Sequence, residues 1–197
     1  MRRVAIVAAA LAALAPGAVR AQSPRGGLAI SGSSTMRDWT CSARQFATAR
    51  DHAGRLTPAA ARGVQLTFPV DAIDCGDADM NHHLRHALKA SRYPTITFGL
   101  PDSEVARALA AGPVPVRVRG QLTIAGETRP IQTDVTVRRA PGQGLQVQGE
   151  QSLRMTDFGV KPPVLMLGLL KVRDVVHVAF NVFVRAATLG HVGSGRG

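Results

Sequence analysis

The chain has 197 residues, enough for one domain with a substantial core, and its 24 Lys and Arg against 13 Asp and Glu give a formal net charge of +11. A basic balance of this kind favours anionic partners, either nucleic acid or membrane headgroups. However, the arginines are scattered, as at Arg117 and Arg119, and only 4% of residues are aromatic, which argues against a nucleic-acid surface and favours a solvated basic exterior.

The first 21 residues have the layout of a secretory signal peptide, with Arg2 and Arg3 before an apolar stretch and Ala21 at a plausible cleavage point. An uncleaved anchor is the alternative. Cleavage lowers the basic residues from 24 to 21 against 13 acidic, a formal charge of +8. No later stretch reaches the roughly 18 apolar residues of a membrane span. We therefore expect a periplasmic or secreted protein with a leader at 1–21, a domain at 22–188 and a flexible Gly-rich tail at 189–197.

Alternating apolar and polar residues next predict about eight strands. In the longest run, Val116, Val118 and Leu122 share one face and Arg117 and Arg119 the other. The link "AGETRP" after this run predicts a hairpin. Eight such strands form a sandwich or a closed barrel, and their length favours the barrel. The segments are 28–31, 37–49, 64–70, 95–100, 114–124, 131–139, 144–154 and 171–185.

Two cysteines, Cys41 and Cys75, remain after the leader. An even pair in an exported protein predicts a disulfide. Closing a loop of this length contributes about 3–4 kcal/mol to stability in the chain-entropy model. A metal pair with histidines, or two buried free thiols, are the alternatives.

Between the strands, "MNHHLRHALKASRYPTITF" (80–98) predicts a short helix that leads into a strand. Asp79 or Asn81 would cap this helix, and Leu84 and Leu88, four residues apart, would face the core. A second helix is predicted in "PDSEVARALAAG".

We expect the second helix to begin at Asp102 or Ser103 as N-cap and to end at Gly112. Its inner face would consist of three apolar residues: Val105, Ala108 and Leu109.

The histidines of the first helix raise the question of a metal site, because His82 and His86 have the i, i+4 spacing of helix-borne zinc ligands. The glutamate of a zinc hydrolase motif is missing between them, and Arg85 and Lys89 add positive charge beside any cation. We therefore predict a solvated basic helix and no metal ligand.

No catalytic residue is expected either. The run Ser33–Ser34–Thr35 has no identifiable base, there is no Gly-x-Ser-x-Gly elbow, and the acidic residues are sparse.

Four stretches resemble the YceI-like domain family: "HLRHALKASRYPTITF", "VRGQLTIAGETRPIQTDVTV", "LRMTDFGV" and "GLLKVRDVVHVAFNVFV". The resemblance extends from Leu28 to Ala186. It implies an all-β, lipocalin-like antiparallel barrel, exported, with an apolar channel that in characterised relatives holds a polyisoprenoid chain such as a quinone tail. The usual N-terminal strand is replaced by "SGSSTMRDWTCSA", and Trp39 and Cys41 there, with Cys75, indicate a disulfide-bearing subgroup.

The apolar face of this barrel supplies the expected ligand-binding residues. Each could instead fill a solid core, since small barrels often pack shut. The stretch "VKPPVLMLGLL" (160–170) is either a lid at the rim or a plug in the barrel end. The residues are Ile96, Phe98, Val116, Val118, Leu122, Ile124, Phe158, Leu165, Met166, Leu169 and Phe180.

Together these features predict a non-catalytic carrier of an isoprenoid or other long-chain lipid, with transient contact with a membrane surface and no nucleic-acid partner. It would need no cofactor other than a bound lipid such as an isoprenoid quinone. A structural or stress-related envelope module with a filled barrel is the alternative, and an enzyme acting on a lipid is a weaker third. The oligomeric state stays open, a dimer included.

Overall fold

The computed structural model describes residues 26–44, 47–50, 63–140 and 144–185. Within these ranges, it describes only the backbone of residues 47–50, 63, 64, 166, 184 and 185. The expected leader at 1–21 and tail at 189–197 lie outside the described residues, so the domain boundaries remain predictions.

The fold is an antiparallel β-barrel with two helices, α1 (Ala78–Ala87) and α2 (Asp102–Ala111), and three short 3-10 turns. The described residues form eleven strand segments where eight strands were predicted. The segments are β1 (Gly27–Ser34), β2 (Asp38–Ala43), β3 (Ala47–Arg50), β4 (Gly63–Pro69), β5 (Ile73–Asp74), β6 (Thr95–Pro101), β7 (Val116–Ile124), β8 (Glu127–Ala140), β9 (Gly144–Arg154), β10 (Val164–Leu165) and β11 (Leu170–Arg185).

The sheet closes through residues 63–74. Its strand order is β3-β4-β6-β7-β8-β9-β11-β1-β2-β5, with β10 added beside β11. Only the 3-10 turn Val70–Ala72 separates β4 from β5. Because β4 pairs with β6 and β5 pairs with β2, this one stretch of chain joins the two ends of the sheet.

The same arrangement explains the difference in strand count. Strands β3 and β2 pair with consecutive parts of residues 63–74, namely β4 and β5. If β2 with β3 and β4 with β5 are each counted once, nine strands remain, of which eight form the main strand order and β10 pairs with β11 beside it. The predicted strand 64–70 ended at this turn, so β5 (Ile73–Asp74) was missed.

The hairpin between β7 and β8 is tighter than predicted. Ile124 pairs with Glu127, so the turn consists of Ala125 and Gly126 alone, with φ of 50° and 86°. Positive φ at both central residues suits the twist of the flanking strands. The rest of "AGETRP" belongs to β8.

The helix caps also differ from the predictions. The N-cap of α1 is Asp77, whose Oδ1 accepts the N–H of Met80 at 2.9 Å, and neither Asp79 nor Asn81 has this role. Asn81 instead accepts the N–H of Cys75 at 2.8 Å and donates to Asp74 at 2.9 Å. These bonds fix α1 to the segment that closes the barrel. The hydrogen bond that Asn81 donates to the carboxylate of Asp74 also lowers the pKa of Asp74.

Helix α2 follows Pro101 at the N-cap position without a side-chain cap, so the prediction of Asp102 or Ser103 as cap was wrong. Its predicted end at Gly112 is confirmed, with φ of 67°. Strand β6 alone lies between the two helices in chain order, so α1 precedes its start and α2 follows its end, at opposite ends of the barrel, here called the α1 end and the α2 end. No described helix is long and apolar enough to cross a membrane.

The predicted disulfide is confirmed, since the Sγ atoms of Cys41 and Cys75 are 2.02 Å apart. It joins β2 to the residue that follows β5. Strands β2 and β5 share only two residue pairs, Ser42 with Asp74 and Ala43 with Ile73. The covalent bond therefore reinforces the narrowest seam of the barrel.

Replacing both cysteines by serine should lower the free energy of unfolding by about 3–4 kcal/mol, because the 34-residue loop is released in the unfolded chain. Thermal denaturation followed by circular dichroism measures the effect, and the unmutated protein treated with a reducing agent provides the control. A melting temperature equal to that of the oxidised protein would mean that the bridge does not stabilise the seam.

Candidate functional site

The barrel encloses a cavity of about 770 Å³ that extends along its interior from α2 towards α1. We call it the lumen. Its walls are predominantly apolar and come from the inward-facing residues of the strands, with both helices contributing. Eight of the eleven residues predicted to bind a ligand lie on it: Ile96, Phe98, Val118, Leu122, Ile124, Phe158, Leu165 and Phe180.

Of the other three predicted residues, Val116 and Leu169 are not brought to the lumen wall. Val116 packs into the cluster around Ala108 of α2, because its strand begins beneath that helix. Leu169 points to solvent at the rim. The side chain of Met166 lies outside the described residues. Ligand binding by the whole set stays a prediction.

Sequence reasoning also left out many lining residues, although the same alternation would have indicated them. The N-terminal strands, β4 and the strands β9 and β11 contribute as much of the wall as the central hairpin does. Examples are Leu28, Ile30, Leu66, Leu145, Val147, Val176, Val178 and Val182.

The stretch 160–170 is neither a simple lid nor a simple plug. Val160 is buried, and Pro163, Leu165 and Leu170 line the lumen. Leu167, by contrast, is fully exposed. The segment therefore closes part of the barrel end with one face and presents the other to solvent.

Glycines opposite aromatic residues keep the centre of the lumen open. The rings of Phe98 and Phe180 lie over Gly120 and Gly149, and a Cβ added at either glycine would overlap the ring. Trp39 covers Gly32 in the same way. Because the rings fit into the gaps left by the glycines, they lie against the wall and occupy less of the interior.

Three polar groups interrupt the apolar wall. The Thr133 hydroxyl donates to the Glu150 carbonyl at 3.3 Å, and Gln151 Nε2 donates to the Ser152 carbonyl at 2.9 Å. The indole N–H of Trp39 is buried without a hydrogen-bond partner among the described residues. Buried donors of this kind are rare in folded proteins. The Thr133 hydroxyl and the Gln151 amide retain capacity to bond to a polar atom in the lumen, whereas the Trp39 nitrogen lies beneath the lumen surface.

Charged residues lie around the α1 end of the lumen, which we call the mouth. Arg37, Asp77, Asp79, His83 and Arg154 all contribute to its lining. The Arg37 guanidinium contacts the sulfur of Met80 at 3.8 Å. The lumen is thus apolar within and charged at one end, which suits a ligand with a long apolar part.

A hydrogen-bonded turn helps to cover the mouth. Asp174 accepts the N–H of Thr156 at 2.9 Å and its hydroxyl at 2.7 Å, and these bonds hold the pKa of Asp174 below its usual value. The bonds anchor the 3-10 turn Met155–Phe158, which buries Phe158 in the cluster with Leu122.

The helix histidines His82 and His86 are exposed, as the predicted solvated helix requires, and the rings of His82 and His83 are 5.8 Å apart. The described part of the chain contains no group of three or more His, Cys, Asp or Glu placed to bind a metal ion.

The sequence pattern of the YceI-like domain family matches residues 29–184. No curated protein matches the chain. Among solved structures, a polyisoprenoid-binding domain from Saccharophagus degradans, implicated in plant cell wall breakdown, is similar at a TM-score of 0.63 and 19% identity, over 81% of this chain and 92% of that one. BcnA of Burkholderia cenocepacia is similar at a TM-score of 0.55 and 22% identity, over 79% and 95% of the two chains. At these identities the likeness supports the barrel fold.

Gly120→Ala should destabilise the protein by about 1–3 kcal/mol, the usual effect of overpacking, because the new methyl overlaps both the Phe98 ring, which it pushes towards the lumen, and the Gly99 carbonyl. Denaturant unfolding measures the change. Gly99→Ala is the matched control, since its Cβ would have only one neighbour, the Gln121 carbonyl at 4.0 Å. Equal stabilities for the two variants would contradict this account of the open lumen.

Proposed function

Because the chain belongs to the YceI-like domain family, we propose that it is an exported, non-catalytic carrier that holds an isoprenoid or another long-chain lipid in its lumen. The similar barrel from Saccharophagus degradans is described as a polyisoprenoid-binding domain. The match covers residues 29–184, which include nearly all of the lumen wall. The proposal for this chain rests on that wall.

The observation that carries the proposal is the size of the apolar lumen. Ligand pockets in proteins typically enclose roughly 300–1,000 Å³, and one water in the liquid takes about 30 Å³. At about 770 Å³, the lumen falls in the range of ligand pockets. The alternative, a structural or stress-related envelope module, would have a barrel filled by its own side chains. Such a barrel would not leave a space of this size.

Desolvation would drive binding. Each 100 Å² of apolar ligand surface removed from water contributes about 2.5 kcal/mol, reduced by the entropy lost when a flexible chain is ordered. Water in the lumen would find few hydrogen-bond partners along walls of Val, Ile, Leu and Phe. A long apolar chain is therefore the occupant that the wall favours.

The three polar groups of the lumen favour a lipid that also has an oxygen-bearing head, such as an isoprenoid quinone. The Trp39 side chain lines the lumen, and its N–H would donate to such an oxygen once the indole ring moves to expose it, which would satisfy a donor that is otherwise buried alone. Thr133 and Gln151 offer further hydrogen-bonding positions on the wall. A pure hydrocarbon would leave the indole N–H of Trp39 without a partner and would use none of the remaining hydrogen-bonding capacity of Thr133 and Gln151.

The disulfide fits the oxidising compartment that the expected leader implies, the periplasm or the exterior of the cell. A lipid carrier there would exchange its ligand through transient contact with a membrane surface.

The direct test is to purify the folded protein from its native compartment, extract it with organic solvent and identify the lipid by mass spectrometry. We expect close to one isoprenoid per chain, with an oxygen-bearing head. The same extraction of the Leu122→Arg variant provides the background. A well-folded sample that yields no lipid above this background would favour the filled-barrel alternative.

Leu122→Arg should abolish uptake of a fluorescent isoprenoid alcohol, because Leu122 is a buried residue on the lumen wall and the new charge would lie in an apolar space. Gln121→Arg adds the same charge to the exposed neighbouring residue and should leave uptake unchanged. Fluorescence titration measures both.

A second variant tests the lumen in case Leu122→Arg does not fold. Ile124→Trp places a larger apolar side chain on the lumen wall and should weaken uptake while circular dichroism shows the native sheet. Full uptake by both folded variants would place the ligand elsewhere.

A further inference from the structure

Exposed apolar side chains are concentrated at the α1 end, beside the mouth of the lumen. The relative exposure is 108% for Leu167, 72% for Leu169, 62% for Met36 and 59% for Val164. In the described part of the chain, these are four of the eight large apolar residues that are exposed. We call these four residues the apolar rim. Exposed apolar clusters of this kind mark interaction surfaces.

Hydrogen bonds hold the apolar rim together from two distant parts of the chain. The Thr35 hydroxyl donates to the Leu169 carbonyl at 2.8 Å and accepts the N–H of Lys171 at 3.1 Å. The N–H of Thr35 donates to the Lys171 carbonyl at 3.0 Å. The turn between β1 and β2, which carries Met36, is thus tied to the turn that carries Leu167 and Leu169.

Leu167 adopts a backbone conformation that its side chain disfavours. Its φ of 55° and ψ of 31° lie in the left-handed region, where glycine and asparagine are preferred. A fully exposed leucine gains no packing energy inside the fold that would offset this cost. Unfavourable backbone at an exposed apolar residue points to a contact made outside the molecule.

Basic residues surround the apolar rim. Arg37, Lys161, Lys171 and Arg173 are all exposed, and none forms an ion pair with another described residue. Within the two segments that build the rim, 34–38 and 160–173, Asp38 is the one acidic residue, and the carboxylate of Asp174, which follows the second segment, is engaged by Thr156. The segments that build the rim are therefore basic, with Asp77 and Asp79 of the mouth beside them, and the rim is complementary to a negatively charged surface.

We propose that the apolar rim docks on the surface of an anionic phospholipid bilayer. Its leucines and Met36 would enter the boundary between headgroups and acyl chains, while the basic residues contact the headgroups. This inference deepens the proposed carrier function by naming the surface where lipid is exchanged.

The position of the mouth fits this role. Arg37, Leu165, Leu170 and Val172 line the lumen, and each lies within two residues of the apolar rim or of its hydrogen-bonded framework. Docking would place the opening of the lumen against the bilayer. A long-chain lipid would then pass between the two with little exposure to water.

The test is sedimentation of the purified, delipidated protein with vesicles of phosphatidylcholine alone or with roughly one third phosphatidylglycerol. We expect binding to the anionic vesicles that is about tenfold tighter than to neutral ones and that weakens at high salt. Equal binding to both, or none to either, would overturn the proposal.

The decisive variant is Leu167→Gly. It should weaken vesicle binding about tenfold through loss of one leucine contact. Its melting temperature should not fall, because glycine accepts a positive φ. Val114→Ser is the matched control, since it removes an apolar side chain with 60% exposure at the α2 end and should not change binding. Unchanged binding by Leu167→Gly would exclude the apolar rim as the docking surface.

Two further measurements distinguish membrane docking from self-association of the chain and from lipid uptake by the lumen. Light scattering that shows a dimer lost in Leu167→Gly, without vesicle binding, would identify the apolar rim as an interface between copies and overturn the proposal. Uptake of a fluorescent isoprenoid alcohol from ethanol tests the lumen alone. Vesicle binding retained by Leu122→Arg would support docking as a property separate from lipid uptake.

Discussion

Closure of the sheet through residues 63–74 is the constraint on which the rest of the molecule depends. This segment pairs with β6 through its first part and with β2 through its last two residues. Because the seam to β2 is short, the disulfide from Cys41 to Cys75 and the hydrogen bonds of Asn81 hold the same region together. Without closure, the inward faces of the strands would form an open apolar surface instead of a lumen.

The open interior depends on pairs of large and small residues in neighbouring strands. Phe98 over Gly120 and Phe180 over Gly149 place bulky rings against the wall. If these positions carried aliphatic residues of middle size, more side-chain volume would extend into the centre. The glycines of this barrel therefore have a packing role, in addition to the turn role of Gly126.

The two ends of the barrel differ in chemistry, and this gives the lumen a direction. Helix α2 covers one end with Val105 and Ala108, which are buried. The other end carries the charges of Arg37, Asp79 and Arg154 and the exposed leucines of 164–169. The mouth, where a ligand would be exchanged, and the surface suited to an anionic bilayer lie at the same end. Docking and ligand exchange would therefore take place at one location.

The amino-acid sequence by itself predicted the class of the fold, the disulfide and eight residues of the lumen wall. Period-two alternation is a local property, so Ile96, Val118 and Leu122 could be assigned to the inward face without coordinates. The sequence likewise indicated that Leu84 and Leu88 of α1 face the core. The capping residue Asp77 was missed because several polar residues in a row could fill that position.

Only the tertiary structure decided how the interior is filled and which apolar residues remain outside. Whether an inward face meets other side chains or surrounds a space depends on register between strands distant in sequence, as for Gly149 and Phe180. The outward placement of Leu167 and Leu169, and the withdrawal of Val116 beneath α2, follow from turns and packing that alternation does not encode. The volume left inside the barrel depends on which side chains meet across the interior, and these come from strands distant in sequence. The alternating pattern of one strand records only the face on which each residue lies.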